Sequence, residues 1–600
     1  MAEGVPKLKK FKHSILSDHV ESQEFQEIFR KHWLNQMSIK TKNLEIIVEP
    51  FRVCKISNFI RSESFMDDLK SELSEVQSKR LTMDLYQFEQ TNDLANYCTD
   101  NIGIFHETFK TTMVTWMENN TNIELSSTIS MTGSCYCDTD YLLCHDDNMG
   151  DRRIAFILYL MPTWSAKDGG TLDLFDTDDK GLPKNVVRSI VPEYNSLVFF
   201  EVSDHSYHQV AEVTSPELSR WSINGWFHGP QRECRPPHPQ IECQLLDPID
   251  KEEDLSYWIM DTYLTAGIVE GIQNDVEKKS YTYLGHFLKP KMYEKLSQEI
   301  VAESIKWKRV GPANLRNYEV AEASSLPCTL KRFYDMFGTI SFFRLLKNYT
   351  QLDLVPDNKN MKPQMSIELQ RWSKGCYTLI CDKLSEEESS GIVDEDNADD
   401  EKSNINSSRG SIEEEKLQKR CIGLSLSDGS GGKKVDKILE TNDDWNRDPF
   451  EDDKVLRSIL KDKKPKVDKQ DESEEASCSK SEDYSKRSPP LHPDSEDPEV
   501  SDIGDYLSDS LSEDDQDEEE EQDVPGTLDV IMQFNTNDVP ESETIDYIDT
   551  KELDSALIHI APDDNHLSLV YKQLSTCRLH KYVNHYCEGY FYNLICTYRE

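Results

Sequence analysis

Along "SESFMDDLKSELSEV", apolar residues recur at Phe65, Leu69, Leu73 and Val76 with charged residues between them. That is the spacing of one helical face, and Ser62 stands where an N-cap belongs, so an amphipathic helix is expected. From Ile154 the texture changes. "IAFILYL", "TLDLF", "SLVFFEV" and "WSINGWF" are short apolar runs punctuated by "GG" and "KGLPKN", and they predict strands separated by turns. Up to about Gly229 the pattern is α+β, a strand-rich core with helices packed outside it.

"HGPQRECRPPHPQ" is a proline-rich break, and helical patterns return after it in "MYEKLSQEIVAESIKWKRV" and "LKRFYDMFGTISFFRLLKNY". A second globular unit is therefore expected. Between about Ser385 and Asp523 the periodicity dissolves into acidic low complexity such as "SDSLSEDDQDEEEEQD". Such a segment buries too little apolar surface to offset its ordering entropy and is expected to be disordered. Apolar texture resumes at "GTLDVIMQFN". The expected layout is a tail and helix over 1–45, a first domain over 46–232 and a linker over 233–250. A second domain follows over 251–384 and 526–600, interrupted by a solvated insertion over 385–525.

Composition narrows the function classes. A chain of 600 residues accommodates about two folded units plus irregular sequence. Its formal net charge of -45 argues against a DNA-wrapping surface, which needs basic faces, and favours basic partners. The acidic segment reads either as a recruiter of such partners or as a spacer, and "KLKKFK" reads either as a nuclear import signal or as a solvated tail. The opening residues form no apolar leader, and no later run approaches the roughly 18 apolar residues that span a bilayer. A soluble protein of cytoplasm and nucleus is expected. The 15 cysteines are odd in number and follow no repeating frame, which reads as reduced thiols.

The chemistry begins at "YLLCHDDNMGDRRIAFILYL", where His145 and Asp147 form an H-x-D pair ahead of a strand-like run. His208 follows in "SYHQV". Two imidazoles and one carboxylate on one side of an ion are the facial triad of non-haem Fe(II) oxygenases, and they leave three coordination positions open. A closed four-ligand zinc site leaves none, and Cys135, Cys137 and Cys144 lack the second paired cluster a zinc finger needs. Asp146 competes with Asp147, but alternating strand side chains favour the i, i+2 pair. His205 competes with His208, and the "HQV" context favours His208. Arg220, twelve residues after His208, could clamp the far carboxylate of a 2-oxo acid through paired hydrogen bonds, and Tyr159 could add a phenolic one.

"LLCHDD", "RRIAFILYL", "GGTLDLF", "LVFFEV", "HQV" and "GWFHGP" together resemble the 2-oxoglutarate- and iron-dependent prolyl 3-hydroxylases that modify the small-subunit ribosomal protein at the decoding centre. The resemblance is close from about Glu49 to Pro230 and looser beyond. It implies a double-stranded β-helix (jelly-roll) catalytic domain followed by a second, degenerate double-stranded β-helix domain that binds no metal. It also implies Fe(II) on His145, Asp147 and His208, with Tyr159 and Arg220 on 2-oxoglutarate. O2 would be consumed, and L-ascorbate would keep the iron reduced. In the second domain "GCYTLICDK" aligns with "TDYLLCHDD", which places Cys381 and Lys383 where His145 and Asp147 stand. His580 then echoes His208, and Tyr592 takes the place of Arg220. Two other functions stay open on the residues alone: an oxygenase acting on another protein side chain or on nucleic acid, and a non-enzymatic acidic scaffold.

Overall fold

Helix Glu63–Glu75 forms as its pattern requires: Ser62 Oγ accepts the N–H of Phe65 at 3.2 Å, and Phe65, Leu69 and Leu73 are buried. Val76 is the residue that closes the helix rather than part of its last turn. The computed structural model describes residues 14–231, 244–355, 362–379 and 526–600, less 98, 538, 541–543, 550–551 and 574. The basic "KLKKFK", the acidic stretch, Cys381 and Lys383 lie outside the described residues. No helix among the described residues is long and apolar enough to cross a membrane.

The first lobe is built on β1 (Ile39–Lys40), β2 (Leu44–Ile47), β3 (Val53–Ser57), β4 (Ser78–Thr82), β5 (Tyr86–Thr91), β6 (Ile129–Tyr136) and β7 (Tyr141–His145). It continues through β8 (Arg152–Tyr159), β9 (Leu172–Thr177), β10 (Pro183–Ile190), β11 (Ser196–Glu201), β12 (His208–Val210) and β13 (Arg220–His228). β2 begins at Leu44, so the strand straddles the boundary expected at 46. The order is β1-β2-β3-β11-β8-β13-β6-β5-β7-β12-β9-β10, with β4 on the side of β5. β5 pairs with both β6 and β7 and forms the corner where the sheet rolls over on itself, giving the jelly roll. In β8, Ile154, Phe156 and Leu158 pack under the helices, while Ala155, Ile157 and Tyr159 face the barrel interior with Leu172, Leu174 and Phe200. Both faces are buried, which is why "IAFILYL" reads as one apolar run without alternation.

The second lobe contains β14 (Tyr281–Gly285), β15 (Trp307–Val310), β16 (Arg316–Ala321), β17 (Gln364–Trp372), β18 (Tyr377–Thr378) and β19 (Thr527–Phe534). β20 (Ile545–Asp549), β21 (Glu552–Ile560), β22 (His566–Lys572), β23 (Thr576–His580) and β24 (Phe591–Arg599) complete it. Its order, β14-β22-β19-β24-β17-β16-β15 with β18 on β16, and β21-β20-β23, repeats β3-β11-β8-β13-β6-β5-β4 with β7 on β5, and β10-β9-β12. Apart from β1 and β2, which have no counterpart, the second lobe copies the strand order of the first jelly roll.

Two sequence expectations change here. The run from Met292 to Val310 is a helix only over Pro290–Glu299 and ends as β15. Apolar positions three or four apart fit a helix followed by a turn equally well, and pairing with β16 decides the outcome. Residues expected to be linker already belong to the lobe: Leu246 exchanges both backbone hydrogen bonds with Met365, and Ile249 donates to Gly338.

The copies share a fastener. Asn195, at φ 54°, accepts from Ile60 N–H at 2.8 Å and donates to Ile60 C=O at 2.8 Å. Asn565, at φ 56°, does the same to Leu288 at 2.8 and 3.0 Å. Asparagine tolerates the left-handed backbone and satisfies a buried peptide on both sides. Asn565→Ala strands two buried polar groups, each worth roughly 1–3 kcal/mol, so a loss of about 2 kcal/mol or more is expected in urea unfolding. An unfolding midpoint equal to the parent's would contradict this role.

Candidate active site

The register of β12 on β7 places His208 directly opposite His145, with ring centroids 4.2 Å apart. Each imidazole donates its Nδ1–H to a backbone carbonyl two residues before it, Leu143 and Ser206, both at 2.8 Å. This fixes the tautomer and turns both Nε2 lone pairs the same way. Asp147 completes the set: its Oδ1 lies 3.6 Å from His145 Nε2 and its Oδ2 3.4 Å from His208 Nε2. The three donor atoms lie within 4.8 Å of one another, and this is the one such cluster among the described residues.

Asp147, not Asp146, is the partner, but strand alternation is not the reason. β7 ends at His145, and Asp147 swings into the site from the following loop at φ 62°, while Asp146 accepts the N–H of Asn148. His205 is exposed on the turn before β12, outside the cluster. Cys135, Cys137 and Cys144 are free thiols and form no metal cluster with one another.

Electrostatics tune the set for a cation. Burial and the neighbouring His145 push His208 down to about 4, so its imidazole is neutral at physiological pH, the form a metal ion could bind. Burial pushes Asp147 up, yet the facing His145, His208 and Arg152 outweigh this and hold it below the usual carboxylate range. Arg152 was not foreseen from the sequence. It is 4% exposed, with Nη1 3.5 Å from Asp147 Oδ1 and its guanidinium 3.7 Å over the Trp226 ring. Nothing in "DRRIAF" marks it, because its role depends on the turn that brings Asp147 back over β8.

Arg220 and Tyr159 meet in the same barrel. Arg220 is fully buried at the start of β13, its guanidinium 5.0 Å from the ring centroids of both Tyr136 and Tyr159. Its Nε donates to Gly170 C=O at 2.8 Å and Nη1 to Ser222 Oγ at 3.3 Å. Gly170 sits at φ +60°, and a Cβ there would lie 2.8 Å from Arg220 Cδ, which explains the second glycine of "GGTLDLF". Arg220 Nη2 and Tyr159 Oη are buried without a hydrogen-bond partner among the described residues. A buried guanidinium with no carboxylate beside it is costly unless an anion joins it, so the pair fits the end of a dicarboxylate. Tyr136, also beside the guanidinium, was missed as well, since only the register of β6 on β13 brings it there.

The model of the 2OG-Fe(II) oxygenase superfamily matches residues 131–228, which contain the triad, Tyr159 and Arg220. A second model, the oxoglutarate and iron-dependent oxygenase degradation C-terminal domain, matches residues 250–600, more than half of the chain. Mouse prolyl 3-hydroxylase OGFOD1 is 37% identical over 354 residues, 59% of this chain and 65% of that protein. The Xenopus laevis protein of the same name is 34% identical over 397 residues, 61% of this chain and 77% of that one. Drosophila melanogaster prolyl 3-hydroxylase sudestada1 is 32% identical over 392 residues, 62% of this chain and 73% of that one. The chain belongs to the prolyl 3-hydroxylase family of 2OG-Fe(II) oxygenases. The match spans just under two thirds of the mouse relative and about three quarters of the other two.

For this oxygenase, both groups the family uses, Fe(II) and 2-oxoglutarate, find matching residues: a three-donor face for the ion and an unpartnered cationic pair for the dicarboxylate. Among the described residues, the second lobe does not repeat the three-donor face or the arginine. Arg220 pairs with Tyr136 on β6, and at the corresponding crossing of β24 and β17 Phe591 pairs with Trp372. The clamp position is therefore Phe591, not the adjacent Tyr592, whose ring lies 5.6 Å from Trp307. His580 lies flat on Trp372 at 3.7 Å, with Phe591 5.9 Å away. Aromatic rings thus fill the place of Arg220, and Gln533 takes the register position of Tyr159.

Proposed function

We propose that this oxygenase hydroxylates a prolyl residue at C3 in a small-subunit ribosomal protein, with an effect on translation, using Fe(II), 2-oxoglutarate and O2, with L-ascorbate as the reductant that maintains the iron. The observation that carries the oxygenase part is the His145–Asp147–His208 face sharing one barrel with the unpartnered Arg220 and Tyr159. The relatives named prolyl 3-hydroxylases support the prolyl part, and the acidic net charge of -45 suits a basic substrate protein.

The chain's own residues bind and orient. His145, Asp147 and His208 would hold the ion as three ligands from the protein. Arg220 and Tyr159 would anchor the far carboxylate of 2-oxoglutarate, and Arg152 helps to keep Asp147 ionised. With both groups bound, the site supplies oxidative decarboxylation of 2-oxoglutarate to succinate and CO2, coupled to insertion of one oxygen atom into a C–H bond. The apolar interior of Ile157, Leu174, Val198 and Phe200 keeps bulk water from the reacting centre.

The test is mass spectrometry of small-subunit ribosomal proteins from cells with and without this protein. One proline gaining a single oxygen only when the protein is present is the expected result. Succinate release driven by an oligonucleotide, with all ribosomal prolines unmodified, would replace the substrate assignment.

A further inference from the structure

The second lobe seats its own side chains on the strands that carry the site. Tyr582 packs against Tyr141 of β7 with ring centroids 4.3 Å apart, and its hydroxyl lies 3.3 Å from Glu212 Oε2. His585 reaches Glu212 twice, through its backbone N–H and through Nδ1, each 2.9 Å from Oε1. Glu212 stands just beyond β12 and is 9% exposed. Burial pushes its carboxyl up, against the pull of these hydrogen bonds.

From Glu212 the connection runs inward through the main chain. The Glu212 carbonyl accepts from Gly170 N–H at 3.0 Å, and the Gly170 carbonyl accepts from Arg220 Nε at 2.8 Å. A Cβ at Gly169 would collide with the same Glu212 carbonyl. The Gly169–Gly170 turn is thus pressed between Glu212 and Arg220 with no room for a side chain on either residue. Trp164 Nε1 pins the turn from a third side by donating to Gly169 C=O at 2.9 Å.

We infer that His585 and Glu212 are positioning residues through which the second lobe sets the Gly169–Gly170 turn and, by it, the aim of the Arg220 guanidinium at 2-oxoglutarate. This rests on the reading of Arg220 as the cosubstrate clamp. It gives the second lobe a task in the chemistry of the first barrel: a guanidinium forms paired hydrogen bonds only in one plane, and a clamp whose Nε acceptor drifts loses that plane.

The experiment uses the full chain with His585→Ala, Glu212→Ala, Glu212→Gln and, as an interface control, Tyr586→Phe. Tyr586→Phe removes the inter-lobe hydrogen bond to Asp138 Oδ2 at 2.6 Å without touching Glu212. Binding of 2-oxoglutarate to the Mn(II)-loaded protein is measured by calorimetry, and amide hydrogen exchange of a peptide covering Gly170 is followed in the metal-free protein. His585→Ala and Glu212→Ala are expected to weaken 2-oxoglutarate binding about tenfold and raise its KM similarly, with kcat within about twofold. Exchange at Gly170 speeds up in both. Glu212→Gln, which keeps an oxygen acceptor for His585, restores most of the affinity, and Tyr586→Phe changes neither readout. Parent-like 2-oxoglutarate affinity and Gly170 exchange in His585→Ala and Glu212→Ala would overturn the inference while leaving the clamp untouched. If Glu212→Ala does not fold, His585→Ala alone decides, since it keeps the backbone donor to Glu212. An Arg220→Met chain with parent-like affinity would instead remove the clamp reading on which the inference stands.

Discussion

A His208→Ala chain is expected to lose iron on dialysis and to release no succinate above background, a fall of about 100-fold or more, while keeping its fold. The imidazole is one of three donors on one face, and the remaining two cannot hold a divalent ion against competing water. Asp147→Ala should add a stability defect. Arg152, 4% exposed, would keep its charge and lose its counter-ion, so the metal-free variant is expected to be about 3 kcal/mol less stable than the metal-free parent. Iron analysis after dialysis, succinate release and urea unfolding separate these effects. Full iron content in a double variant lacking both His208 and Asp147 would show that other residues hold the metal.

Arg220→Met is the second large effect, and it has two signs. Without its anion the buried guanidinium is an uncompensated charge, so the cosubstrate-free variant should unfold at a temperature no lower than the parent's. With 2-oxoglutarate the order reverses. Losing a charge-assisted bidentate pair costs on the order of 2–5 kcal/mol, or roughly 30-fold and upward in the cosubstrate concentration required. The iron requirement stays nearly unchanged. Thermal unfolding with and without 2-oxoglutarate reads both halves, and a shift as large as the parent's would place the clamp elsewhere.

That His145, Asp147 and His208 would come together was legible because their chemistry is rare in combination, and Arg220 was legible for the same reason. Arg152, Tyr136 and Glu212 were not legible, because their roles exist only through strand register and turn geometry. Asp147 was found for an imperfect reason, since it reaches the site from a left-handed loop position and not from a strand. The second lobe shows the same limit. Counting from a histidine placed the missing clamp at Tyr592, but His580 pairs with Ile545 as Val210 pairs with Leu172, so it does not stand where His208 does. The paired asparagines Asn195 and Asn565, with the same backbone conformation and the same two bonds, give the alignment that leads to Phe591.

The aromatic stack of Trp372, His580 and Phe591 fixes how the molecule counts its ligands. Though it carries two barrels of one design, a dicarboxylate mimic titrated into it should saturate at a single equivalent per chain, with one dissociation constant and no cooperativity. An inhibitor tailored to the barrel of Arg220 then meets no second copy of that clamp among the described residues, so its occupancy follows a simple one-site hyperbola.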